Sequence, residues 1–227
     1  MIGPVLFVGV STLEGWLRPG YDSFGMFLSE LSLGPRGGIQ IGNFLACGVL
    51  SLLFARGMAA EFSEGDDSGA GPIALYVIAT GWVAAAFVMD PLSTPLASRS
   101  WHCWIHVLSG QLITFGMPIS CFVFYGRFQV DRHWRSLATW TYMVGWLTVA
   151  LEVVLLGSVA WIRFDPGIRS DPGNLVGAWA GLMQRMWIFG WLAWQFVVAG
   201  RLYTSPEAGT VPESSVRTAT LVRRHSA

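Results

Sequence analysis

The chain has 227 residues, of which 53% are hydrophobic and only 12% charged, with no net charge; a soluble domain carries about twice that share of charge. This balance excludes a soluble enzyme, a nucleic-acid binder and a secreted disulfide scaffold, and zero net charge gives no polyanion-binding signal. All 14 basic residues are Arg, so Schiff-base chemistry on Lys, a retinal pigment included, is excluded too.

The apolar runs reach the roughly 20 residues that a bilayer crossing needs. Six spans are predicted, at 2–17, 38–60, 72–89, 101–125, 137–161 and 175–202. The expected fold is therefore all-α: a polytopic membrane bundle over 1–203, followed by a disordered polar tail over 204–227. The first run has no positive charge before it and no cleavage site after it, so it reads as a helix and not as a signal peptide. Between the first two spans, Phe24, Phe27, Leu28 and Leu31 recur at i, i+3, i+4 and i+7 behind a capping Asp22, which predicts a short amphipathic helix at the outer interface. Six crossings put both termini on one side. That side carries eight Arg against five on the other, which favours a multi-pass cell-membrane protein with cytoplasmic termini.

Depth along each span, at about 1.5 Å per residue, places the intramembrane polar residues in one half of the bundle. Gln40, Asn43, His102 and His106 open even spans, while Glu14 and Asp90 close odd ones. Glu152 and Arg185 fall at matched depth and form a candidate buried pair, as a site or as a structural link between the last two spans. Ionisable groups in lipid are costly, face inward and mark sites. His102 and His106 share a helix face at a metal-ligand spacing, with Asp90 or Glu30 as a possible third ligand. Without a fixed motif the stronger expectation is a His–carboxylate pair, with no metal and no cofactor. Cys47, Cys103 and Cys121 show no C-x-x-C spacing and read as small buried hydrophobes.

The aromatic content is the second anomaly, with 12 Trp and 14 Phe. Trp16, Trp101, Trp104, Trp134 and Trp161 fall at span ends, as an interfacial belt does; Trp82, Trp146, Trp179 and Trp187 lie deeper. Trp187, Trp191 and Trp194 make a helical stripe read as packing. An outer half with few carboxylates and many π faces suits a greasy ligand or a cation held by rings. From depth, Trp16, Phe27, Phe87, Trp101, Trp104 and Trp179 are the expected cavity lining.

The patch Arg18-Pro-Gly-Tyr-Asp through Ser29-Glu-Leu-Ser-Leu-Gly-Pro-Arg-Gly to Gln40 and Asn43-Phe44 resembles a prokaryotic six-span membrane family known as domain of unknown function 998. Asp90-Pro91, His102-Cys-Trp-Ile-His106 and Gly181-Leu-Met-Gln-Arg185 resemble its other recurring patches, so the likeness covers roughly residues 1–200. It implies a fold and no chemistry. A likeness in kind is to small integral-membrane terpene cyclases, which protonate a prenyl chain and guide the carbocation through ring closure. That resemblance implies an acid of raised pKa, water exclusion and π faces. The leading expectation is such a cyclase, acting on a lipophilic prenylated small molecule, with Asp90 or Glu30 as the acid, Asp90 slightly favoured, and His102 or His106 positioning it. Two alternatives stand beside it: a non-enzymatic protein that binds membrane lipid or sets its distribution, and a redox protein using the two histidines.

Overall fold

A computed structural model describes residues 1–63, 69–164 and 175–204. Among them every regular element is helical: α1 (Ile2–Leu17), α2 (Gly37–Glu61), α3 (Ala70–Ala84), α4 (Trp101–Val130), α5 (Arg135–Phe164) and α6 (Leu175–Tyr203), with two short 3-10 segments at Leu28–Ser32 and Leu96–Ser98. By length and composition α2, α4 and α5 suffice to cross a membrane; α1 and α3 are shorter apolar helices. The all-α, membrane-type reading of the sequence therefore stands. The polar tail expected over 204–227 lies, from residue 205 on, outside the described residues.

Each helix packs on its sequence neighbours, and α6 returns to α1, closing the six into a ring; α2 also reaches α6. Small residues allow the tightest approaches. A Cβ on Gly48 of α2 would stand 2.6 Å from Val83 Cγ2 and 2.8 Å from the Val83 nitrogen, so α2 and α3 meet at this distance only without a side chain there.

Rings fill the interior at the end that carries the α2–α3 and α4–α5 connections. Phe62 and Phe124 pack with Phe128, which stacks on Trp134 at 4.8 Å. Trp134, expected in the interfacial belt, is instead fully buried and donates its indole N–H to Glu61. Trp191 and Trp194 are buried packing, as their stripe suggests, with N–H groups donated to Ser120 and Thr141. Buried indoles persist where the N–H finds an acceptor.

Two element boundaries differ from the sequence reading, and both lie at the opposite end. The span expected over 72–89 stops being helical at Ala84. The carbonyls of Ala85, Phe87 and Val88 accept from histidine side chains of α4, and Pro91 bars a return to helix. The amphipathic helix expected over 22–32 reduces to five residues of 3-10 helix. The Asp22 carboxylate accepts from the Phe24 and Gly25 N–H groups, and this Asx turn breaks the helical period. Leu28 and Leu31 then go inward while Phe24 stays exposed.

Candidate functional site

The end that carries the α1–α2 and α3–α4 connections is organised by the segment that joins α1 to α2. Glu14, near the end of α1, accepts two N–H bonds from Arg36, just before α2. One turn deeper, Asn43 donates to the Phe7 carbonyl and to Ser11, and Ser11 donates to Gln40. Arg18 donates to the Glu30 carbonyl. The Glu30 carboxylate accepts from the Phe27 N–H at 2.8 Å, which closes the short helical turn on itself. Tyr21 donates to the Phe27 carbonyl at 3.0 Å, and burial raises its phenol above the ordinary value, so it stays a donor.

This segment docks on α6. Leu28 N–H donates to Gln184 at 2.7 Å, and Phe24 O accepts from Leu182 N–H at 2.8 Å. Gly181 makes that possible: a Cβ there would stand 2.2 Å from Met26 O. Arg185 completes the clamp by donating to Met26 O at 2.9 Å, to Gly181 O at 3.0 Å and to the Tyr21 hydroxyl.

The second polar group sits where α3 leads into α4. Asp90 accepts from the Ser100 N–H at 2.7 Å and from its hydroxyl at 2.9 Å. Ser100 in turn caps α4 by accepting from the Cys103 N–H. Asp90 is therefore an anion seated on a helix N-terminus, and the Ser100 backbone N–H holds its carboxyl below the usual carboxylate range. His102 Nδ1 donates to Val88 O at 2.7 Å, and His106 Nδ1 to Ala85 O at 2.9 Å and Phe87 O at 2.8 Å. Both histidines satisfy carbonyls left open beyond the end of α3.

Several expectations need correction. Asp90 was read as a desolvated acid of raised pKa; its partners favour the charged form instead. Glu152 and Arg185 are both buried, as the depth count requires, yet they are not paired: the Arg185 bonds run to neutral groups, and Glu152 Oε2 has no hydrogen-bond partner. Among the described residues the histidines hold backbone carbonyls and make no direct carboxylate contact, and no three His, Cys, Asp or Glu converge as a metal site. Of the six aromatics chosen as cavity lining, only Phe27 is buried. Trp16 is 89% exposed and Trp101 68%, with Phe87, Trp104 and Trp179 exposed as well; they stand outward, as a belt does.

Two clefts open at this end. The larger, of about 780 Å³, is lined by Phe27, Glu30, Leu33, the 91–96 connection, Val159 and Ile162. It brings Glu30 and Phe27 together, and it leaves Asp90 one residue behind its wall. The smaller, of about 510 Å³, lies between α1, the α1–α2 connection, α5 and α6 and includes Arg185. Tyr21, Arg36 and Ser100 are organising residues that reasoning from span depth did not single out, whereas Gln184, beside Arg185, reads from sequence as polar packing and takes the Leu28 N–H. Tyr21 and Arg36 do fall inside the 18–44 patch, whose density of Gly, Pro and polar residues was their only sequence signal.

The family described as "Protein of unknown function (DUF998)" has a model that matches residues 1–201, so the chain belongs to that family. No curated protein and no solved structure matches the chain.

Proposed function

We propose that this member of the DUF998 family is a multi-pass membrane protein whose six helices all cross the bilayer, with cytoplasmic termini, and that it binds a lipophilic molecule in the outer cleft at Glu30. One observation carries the reading. A cleft of about 780 Å³, within the range of small-molecule sites, is walled mainly by apolar side chains and offers one buried carboxylate, Glu30. The closed ring of helices and the gathering of Glu14, Arg36, Gln40, Asn43 and Arg185 at one end support six crossings. The Arg count of eight against five supports the orientation.

A second reading, the prenyl cyclase, rests on Glu30 alone. A protonated Glu30 would pass its proton to an alkene carbon, forming a C–H bond and leaving a tertiary cation, which closes the ring and then returns a proton to the carboxylate. Among the described residues Phe27 is the one ring in this cleft to face such a cation, fewer than a long cationic cascade needs. Binding without conversion is therefore the preferred function.

The test is to incubate membranes holding wild-type or E30Q protein with prenylated aromatic and cyclic-dipeptide compounds. Saturable binding with unchanged compound supports the preferred reading. An isomeric cyclic product formed by wild type and abolished in E30Q establishes the cyclase. Absence of both binding and product overturns both.

A further inference from the structure

Among the described residues, Arg185 is a buried cation without a counter-ion. It is 8% exposed, and its three hydrogen bonds go to two backbone carbonyls and a phenol. The ion pair among the described residues is Arg36 with Glu14. A guanidinium has five N–H groups; these three bonds to described residues leave two. A charge in the apolar part of a membrane protein normally finds an opposite one.

The surroundings indicate what supplies it. Arg185 lines the cleft of about 510 Å³, whose other walls are Leu147, Leu151, Leu182, Met186 and Phe189, with the hydroxyls of Thr12 and Ser23 at the rim. Phe24 of the α1–α2 connection also lines it, and with Leu147 and Met186, all three exposed, it opens the cleft onto the outside of the bundle. Thr12 is four residues from the exposed Trp16, and Arg185 six from the exposed Trp179. At 1.5 Å per residue this sets the site about 6–9 Å inside the tryptophan level, within reach of a headgroup drawn slightly inward.

We infer that this cleft is a binding site for an anionic phospholipid of the surrounding bilayer, with its phosphate on Arg185 and an acyl chain along Leu151 and Met186. Two free guanidinium N–H groups suit two phosphate oxygens, and the cleft walls suit methylenes. The site is separate from the Glu30 cleft and shares no lining residue with it.

The test uses the full-length protein, delipidated in mild detergent and titrated with phosphatidylglycerol, phosphatidylcholine or palmitate under native mass spectrometry. Two variants accompany it. R185Q removes the charge. G190L fills the cleft without touching any Arg185 bond, because a Cβ at Gly190 meets open space. Phosphatidylglycerol should bind at least tenfold more tightly than phosphatidylcholine, and G190L should weaken it by a similar factor. R185Q, checked for an unchanged thermal midpoint, should erase the preference. If R185Q does not fold, G190L alone decides. Equal binding of the two phospholipids, or undiminished binding by G190L, overturns the proposal, as does palmitate outcompeting phosphatidylglycerol.

Discussion

At the scale of single residues, the polar layer is an assembly of backbone-binding groups. Asp90 illustrates the difference from the sequence reading. Its apolar approach, Ala84 to Met89, suggests desolvation, but its carboxylate takes both donors of Ser100. Because its folded-state pKa lies below the unfolded value, its stabilisation is complete above the ordinary carboxylate range and is lost as pH falls through the depressed value. Thermal unfolding from pH 7 downward should show D90N melting below wild type at neutral pH, with the gap closing only as pH falls below the ordinary carboxylate range; a gap independent of pH would remove the capping role. Glu152 gives a second outcome. Its Oε2 is buried without a partner, so E152Q should leave stability unchanged or raise it by about 1 kcal/mol. A fall of about 3 kcal/mol or more, the cost of breaking a buried pair, would restore the ion pair which the geometry denies.

At the scale of elements, the fold was legible wherever hydrophobic length decides. The six helices lie close to the six predicted spans. What periodicity missed are the two places where side chains take over backbone carbonyls. His102 and His106 reach back to the end of α3, and α6 accepts the 21–32 segment. Both are contacts between residues distant in sequence, which a local window does not contain. The docking on α6 depends on Gly181. G181A should push Met26 away and destabilise the protein by about 1–3 kcal/mol, as overpacking does, with faster proteolysis within 18–27. An unchanged midpoint and digestion pattern would show that the segment is not held by α6.

At the scale of the whole molecule, the site was only partly legible. Depth counting placed the polar groups at one end, and Glu30 and Phe27 do share a cleft. The aromatic lining was misread because a depth count ignores azimuth around the helix: a Trp at the right level points to lipid as readily as inward. Six crossings require the connections at 62–69 and 131–134 to share a side. Cysteine labelling at His133 and Gly69 should therefore give the same sidedness in intact cells, and opposite sidedness would refute the topology.

The central claim, a lipophile seated beside Glu30, is tested most directly by photolabelling the protein in membranes with a diazirine-bearing prenyl probe and mapping the modified peptides. The account predicts saturable labelling concentrated in 27–33, 91–96 and 159–162, suppressed by unlabelled prenyl alcohol and by a cleft-filling L96W variant. Labelling spread evenly over the exposed ring of Trp16, Trp101, Trp104 and Trp179, unaffected by competitor or by L96W, would contradict it.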